Sequence, residues 1–186
     1  LQATKSYKLV LLGDTSVGKS TFLFQLLEKR FKDVTEPTLG SSFQTYVTNV
    51  RNDQIMFEIW DTAGQEKYKA VAPVYYRQAK ACIFMYDVTD LESFQKAKDW
   101  VEQVKENGQK QCVFCIVGNK IDLEFDDSIL QKVNEYAKKE NMIHIQTSSK
   151  TGQNVAEALQ QIGERLLEAN VPLKSLNMPE SKKNCC

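Results

Sequence analysis

The chain has 186 residues, 42% of them hydrophobic and 26% charged, the size and make-up of one ordinary domain with a sizeable core. Lysine plus arginine and aspartate plus glutamate number 24 each, so no global field draws the chain to nucleic acid or to an acidic surface. No apolar run reaches the roughly 18 residues of a transmembrane helix, and Leu1 to Lys8 lacks the apolar core of a signal peptide. We therefore expect a cytoplasmic chain whose five cysteines remain thiols.

In chain order, Tyr7 to Gly13 is short and apolar and reads as a buried strand. Lys19 to Glu28 spaces its apolar residues three and four apart, as an amphipathic helix does. Ser42 to Val50 and Ile55 to Asp61 follow, joined by Arg51-Asn52-Asp53-Gln54, which is too short for a crossover. They predict an antiparallel hairpin at one edge of a sheet. Ala81 to Asp87, Gln111 to Asn119 and Met142 to Thr147 read as further strands, and Leu91 to Glu106, Ile129 to Glu140 and Val155 to Ala169 as helices between and after them. The alternation predicts an α/β fold, a mostly parallel sheet with helices on both faces. Periodicity stops at Ala169, so residues 1–169 form the domain and 170–186, with Pro172 and Pro179, a flexible tail. As a random coil such a tail spans about 20 to 25 Å.

Gly13-Asp14-Thr15-Ser16-Val17-Gly18-Lys19-Ser20 fits G-x-x-x-x-G-K-[ST] and lies between a strand and a helix. Glycines let backbone N–H groups turn inward around phosphate oxygens, Lys19 reaches the β and γ phosphates, and the Ser20 hydroxyl takes a place on Mg²⁺. Thr15, Ser16, Val17, Gly18 and Thr21 complete the phosphate-binding set. Such a loop specifies a nucleoside triphosphate without choosing its base. That choice falls to Asn119-Lys120-Ile121-Asp122, directly after a strand, where open α/β sheets bind ligands. The Asp122 carboxylate can accept from N1–H and the 2-amino group of guanine. Adenine has a donor at neither position and would leave the carboxylate unpaired, a mismatch that rejects a wrong ligand by about 10⁴ in favourable cases.

With Thr38, Asp61-Thr62-Ala63-Gly64-Gln65 and Thr147-Ser148-Ser149-Lys150 added in order and spacing, the chain resembles a Ras-superfamily GTPase over nearly its whole length. Trp60 to Tyr68, Ala72-Pro73-Val74-Tyr75-Tyr76-Arg77 and the final Cys185-Cys186 resemble the Rab family within it, and the Ala72-to-Tyr76 stretch together with Ser93-Phe94 resembles the early-endosomal subgroup. The resemblance implies a P-loop G domain with a six-stranded sheet and a slow GTP hydrolase that switches between GTP and GDP in vesicle and endosomal membrane traffic. It implies that Thr38 touches Mg²⁺ and the γ-phosphate, that Asp61 holds Mg²⁺ through water, that the Gly64 N–H meets the γ-phosphate and that Gln65 orients the attacking water. Phe31 and Lys120 would flank the base, with Asn119, Asp122, Ser148, Ser149 and Lys150 completing its site. Phe43, Trp60 and Tyr75 match an aromatic triad presented to effectors, for which core packing is the alternative.

Phosphoryl transfer needs positioning and charge neutralisation more than covalent chemistry, so one Mg²⁺, one lysine and one glutamine suffice for a slow reaction. The resemblance makes the segment holding Thr38 and the one after Asp61 the two switches, and no arginine is evident in them. A GTPase-activating protein should supply one, a contribution of about 10³ to 10⁵ in rate. The other partners implied are effectors, an exchange factor, a GDP-dissociation inhibitor or escort protein, and a membrane reached through geranylgeranyl groups on Cys185 and Cys186; the domain itself is expected to be monomeric. Two such chains anchor stably where one lipid does not, at about 0.8 kcal/mol per buried CH₂.

Cys112 and Cys115 have redox-motif spacing, but their place in a predicted strand points to core packing. His144, the only histidine, is expected to pack or sit at an edge, and Trp100 to be core. Thr15 stands where Ras itself has glycine and is expected to slow hydrolysis, while Ser149, at a usual alanine, is expected to loosen the base. Two rival functions are a P-loop enzyme phosphorylating a small molecule, which Asp122 and Gln65 oppose, and a nucleotide-bound scaffold that never cycles, which Gln65 opposes.

Overall fold

Strand β1, Lys5–Gly13, turns Leu9 and Leu11 to one face of the sheet and Val10 and Leu12 to the other, and all four are fully buried. A strand apolar on both faces belongs at the centre of a covered sheet. The computed structural model places it there, and it describes residues 4–32, 41–62, 72–108 and 111–169. Helix α1 (Lys19–Glu28) follows, then β2 (Ser41–Val50), β3 (Asp53–Thr62), α2 (Ala72–Tyr76), β4 (Ala81–Asp87), α3 (Leu91–Asn107), β5 (Val113–Asn119), α4 (Asp127–Lys139), β6 (Ile143–Thr147) and α5 (Val155–Ala169). The sheet has six strands in the order β2-β3-β1-β4-β5-β6. Only β2 is antiparallel to its neighbour; every other pairing is parallel.

Two cores result. Ile83 and Met85 of β4 and Cys115 and Val117 of β5 pack with Phe22 and Leu26 of α1 and Leu159 and Ile162 of α5. On the opposite face Phe84, Tyr86 and Ile116 pack with Phe94, Trp100 and Val101 of α3 and Val133 of α4. Trp100 is core as its helical spacing requires.

The predicted strands and helices are present; α1, β4 and α5 match their expected ends and the others shift at one end or both. The hairpin strands run further than expected, to Asp53 and Thr62, and leave Arg51-Asn52 as the turn, Arg51 taking a φ of 55°. Helix α2 is absent from the sequence reading: five residues make barely one turn, too short for any period to register. Strand β5 begins at Val113, so Cys112 lies just outside it, half-buried, with its Sγ 3.7 Å from Cys82 Sγ. Cys115 is core; Cys112 is a core residue only in part.

His144 does sit at an edge, in the outermost strand β6. Its Nδ1 donates to Asn134 Oδ1 at 2.7 Å and its Nε2 meets the Tyr86 hydroxyl at 3.2 Å. Burial lowers its pKa to about 4. The folded value lies below the ordinary 6.5, so the unfolded chain binds more protons between those values and stability falls as pH drops through that window. We predict that urea unfolding at pH 7 and pH 4.5 shows a loss of about 2 kcal/mol in this chain, discounted for the open edge, that His144→Gln lacks. Equal losses in both proteins would remove the role assigned to His144.

Candidate functional site

Because five of the six strands are parallel, Gly13, Asp61, Asp87, Asn119 and Thr147 all come to the same end of the sheet. Asp87, Asn119 and Thr147 stand directly side by side in register. Carboxyl ends of such strands are where ligands bind in open α/β sheets.

The loop from Gly13 to Ser20 turns on three residues of positive φ: Gly13 at 148°, Ser16 at 66° and Gly18 at 98°. A Cβ on Gly13 would lie 2.5 Å from the Met85 carbonyl oxygen, and one on Gly18 would overlap the Asn119 side-chain nitrogen. Asp90 and Asp126 cap α3 and α4 through their carboxylates, whereas α1 starts at Gly18, which has no side chain to do so. Its first N–H groups and the positive end of its dipole suit an anion. Lys19 is buried, and its Nζ donates to the carbonyls of Gly13 at 3.0 Å and Asp14 at 2.7 Å, holding the amine over the loop. Burial lowers that amine to about 8, with Asp61 and Asp14 pulling the other way. Lys96 of α3 donates to Asp14 at 2.8 Å and ties the loop to that helix. Thr15, Ser16 and Ser20 are exposed, and Val17 is buried beneath the loop.

Asp61 ends β3 beside this loop. The Ser20 hydroxyl donates to its Oδ2 at 2.5 Å, while its Oδ1 is buried with no partner among the described residues. Burial raises the carboxyl against the pull of Ser20 and Lys19. A buried, unpaired carboxylate oxygen is costly on its own and suits a cation or its bound water. Two hard oxygen groups beside a phosphate loop fit Mg²⁺, which binds through one or two protein oxygens, waters and substrate phosphates. Among the described residues there is no cluster of three or more His, Cys, Asp or Glu that could hold a metal ion.

The residues expected to read the base gather at the ends of β5 and β6. The Asn119 side-chain nitrogen donates to the Val17 carbonyl at 2.9 Å, linking this region to the phosphate loop. Ser148 donates to Asp122 Oδ1 at 2.5 Å and accepts from the Thr151 N–H at 3.1 Å. Lys120, at a φ of 72°, pairs with Asp87 at 2.6 Å. Asp87 also accepts from the Thr89 N–H at 2.9 Å and hydroxyl at 2.7 Å. Burial raises the Asp87 carboxyl, but Lys120 and Thr89 outweigh it and hold it below the usual range. Asp87 is a supporting residue that motif reading missed, although its place at a strand's carboxyl end marks it. Lys150 is exposed, and Phe31 is 41% exposed.

Phe43 meets Trp60 edge-on at 5.3 Å between ring centroids, and Trp60 meets Tyr75 at 5.9 Å. Phe43 is 48% exposed, while Trp60 and Tyr75 are half-buried and pack against the second core, so the cluster runs from the core to the surface. Thr38, Gly64, Gln65, Cys185 and Cys186 lie outside the described residues.

Residues 8–168 match the Ras family model. The chain is similar to the Ras-related protein Rab-21 of Geodia cydonium, 42% identical over 172 residues covering 92% of this chain and 75% of that one. It is similar to the Ras-related protein Rab-22A of Homo sapiens, 37% identical over 193 positions covering 99% and 100%. It is also similar to the Ras-related protein Rab5 of Nicotiana tabacum, 40% identical over 163 residues covering 87% and 82%.

Proposed function

This chain belongs to the Ras family of small GTPases, in its Rab branch, and we propose that its two nucleotide states choose which proteins bind it at a vesicle membrane. As a family member it binds guanine nucleotide and hydrolyses GTP to GDP. The observation that carries the assignment of parts is the tie between the two halves of the site. Asn119 joins the base-reading segment to the Val17 carbonyl, so base and phosphates are held as one unit.

In this reading Asp122, oriented by Ser148, accepts from guanine, and Lys120 and Phe31 flank the ring. The backbone of residues 13–21 and the Lys19 amine hold the phosphates. Mg²⁺ would be held by Ser20 and Thr38 directly and by Asp61 through water, and when bound it neutralises charge on the β and γ phosphates. Thr38 and the Gly64 N–H contact the γ-phosphate, and Gln65 orients the water that attacks it. Loss of that phosphate releases both segments, the ordered-to-disordered form of switching. Phe43, Trp60 and Tyr75 receive effectors, whose grip depends on the segments between them. An exchange factor, a GTPase-activating protein and a GDP-dissociation inhibitor act on the cycle, and lipids on Cys185 and Cys186 hold the chain to the cytosolic face of an endosomal or other vesicle membrane.

The test is release of fluorescent GDP in high and low Mg²⁺, chased by GTP or ATP. Displacement by GTP alone, faster when Mg²⁺ is chelated, is the expected result; equal displacement by ATP would overturn the assignment of Asp122. A second expectation concerns hydrolysis. Gln65→Leu should lower the single-turnover rate by at least about tenfold with GTP still bound. An unchanged rate would take Gln65 out of the mechanism.

A further inference from the structure

The side-chain oxygen of Asn119 takes three donors: the Ser149 hydroxyl at 2.9 Å, the Ser149 N–H at 3.0 Å and the Thr147 hydroxyl at 3.2 Å. Its nitrogen donates to Val17 at 2.9 Å. Asn119, Thr147 and Ser149 are 1%, 0% and 3% exposed, so water does not compete for these bonds. The Asn119 amide is therefore a bridge whose oxygen is anchored on the segment after β6 and whose nitrogen grips the phosphate loop.

From this geometry we infer that the Ser149 hydroxyl is a positioning group for Asn119 that slows nucleotide release without taking part in choosing the base. The inference rests on the guanine-nucleotide reading of the site. Adjacent serines have separate tasks. Ser148 orients Asp122, the base-reading carboxylate, at 2.5 Å. Ser149 reaches no part of Asp122 in these contacts; its hydroxyl goes to Asn119, and through Asn119 to the loop that holds the phosphates. For a nucleotide to leave, the base segment and the phosphate loop must part, and the Asn119 bridge has to loosen. A buried hydroxyl that fixes the amide's rotation opposes that step. An expectation from sequence alone, that serine at 149 loosens the nucleotide, is thus reversed: the added hydroxyl tightens the tie.

The experiment uses the full chain loaded with fluorescent GDP or with inosine diphosphate, whose base lacks the 2-amino group, chased by excess GTP. Ser149→Ala is expected to release both about three- to tenfold faster, the change one neutral hydrogen bond produces, with the ratio of the two rates as in the parent. Ser149→Cys fills the site with the same shape, slightly enlarged, but donates weakly, and is expected to match the alanine variant. If volume alone mattered, the cysteine variant would release at the parent rate, and that result would overturn the inference. So would unchanged or slower release from Ser149→Ala, or acceleration confined to one of the two bases. A parent chain that holds ADP as firmly as GDP would overturn the guanine reading itself, an outcome distinct from those.

Discussion

Gly18→Ala should lower affinity for GDP by about 100-fold or more, through strain and through displacement of Asn119 together. Gly18 has a φ of 98° and heads α1 in a left-handed conformation, which costs a residue with a Cβ about 1 to 3 kcal/mol. The new methyl would also overlap the Asn119 side-chain nitrogen, the donor to Val17. Asn119 cannot yield cheaply, because its oxygen is held by Thr147 and Ser149 and the residue is buried. A misplaced amide uncouples the base segment from the phosphate loop, so one methyl damages both halves of the site. Strain of this size plus one displaced bond amounts to about 3 kcal/mol, hence the factor of 100. Titration of fluorescent GDP into the variant reads the loss directly, and affinity within threefold of the parent would show that the loop tolerates a side chain there.

Asp122→Ala should erase the choice of base. With the carboxylate gone, nothing at that point rewards the N1–H and 2-amino group of guanine or penalises adenine. A preference of about 10⁴ for GTP over ATP should fall to within about tenfold, chiefly through weaker GTP binding. Ser148 loses its acceptor at the same time, so the segment before α5 also loses a fixed point. Competition of GTP and ATP against the fluorescent ligand measures the ratio. A variant that still prefers GTP a thousandfold would mean the base is read elsewhere, with Lys120 and the 147–150 backbone the first places to look. A Ser148→Ala protein should fall between parent and Asp122→Ala in the same assay, because it frees the carboxylate without removing it.

Both variants act through contacts that join distant parts of the chain, and this sets the limit of what could be read beforehand. The phosphate loop was legible because its signal is local: a strand, a glycine-rich turn and a helix in succession. Asp122 could be nominated because the chemistry of one carboxylate toward guanine is self-contained. Helices α1 and α5 were read to their boundaries, since an amphipathic period registers over ten or more residues, whereas α2 offered a single turn. The hairpin was placed correctly but too short, because register runs on into polar residues such as Asp53 and Thr62 that carry no apolar alternation.

The sequence by itself determined the fold class, the order of the strands and of the longer helices, and the phosphate loop, and it nominated the residues proposed for the base. Each of these depends on neighbours in the chain or on a motif whose chemistry is self-contained. Only the tertiary structure decided how those parts act on one another. It put Asn119 against Val17, left Asp61 Oδ1 beside Ser20 with no partner among the described residues, and paired Lys120 with Asp87. It brought Phe43, Trp60 and Tyr75 into one cluster and set the Ser149 hydroxyl against the Asn119 side-chain oxygen. The physical reason is that hydrogen bonds and buried carboxylates are resolved by distance in space. Parallel pairing brings the ends of β1, β3, β4, β5 and β6 side by side, although the chain separates them by dozens of residues.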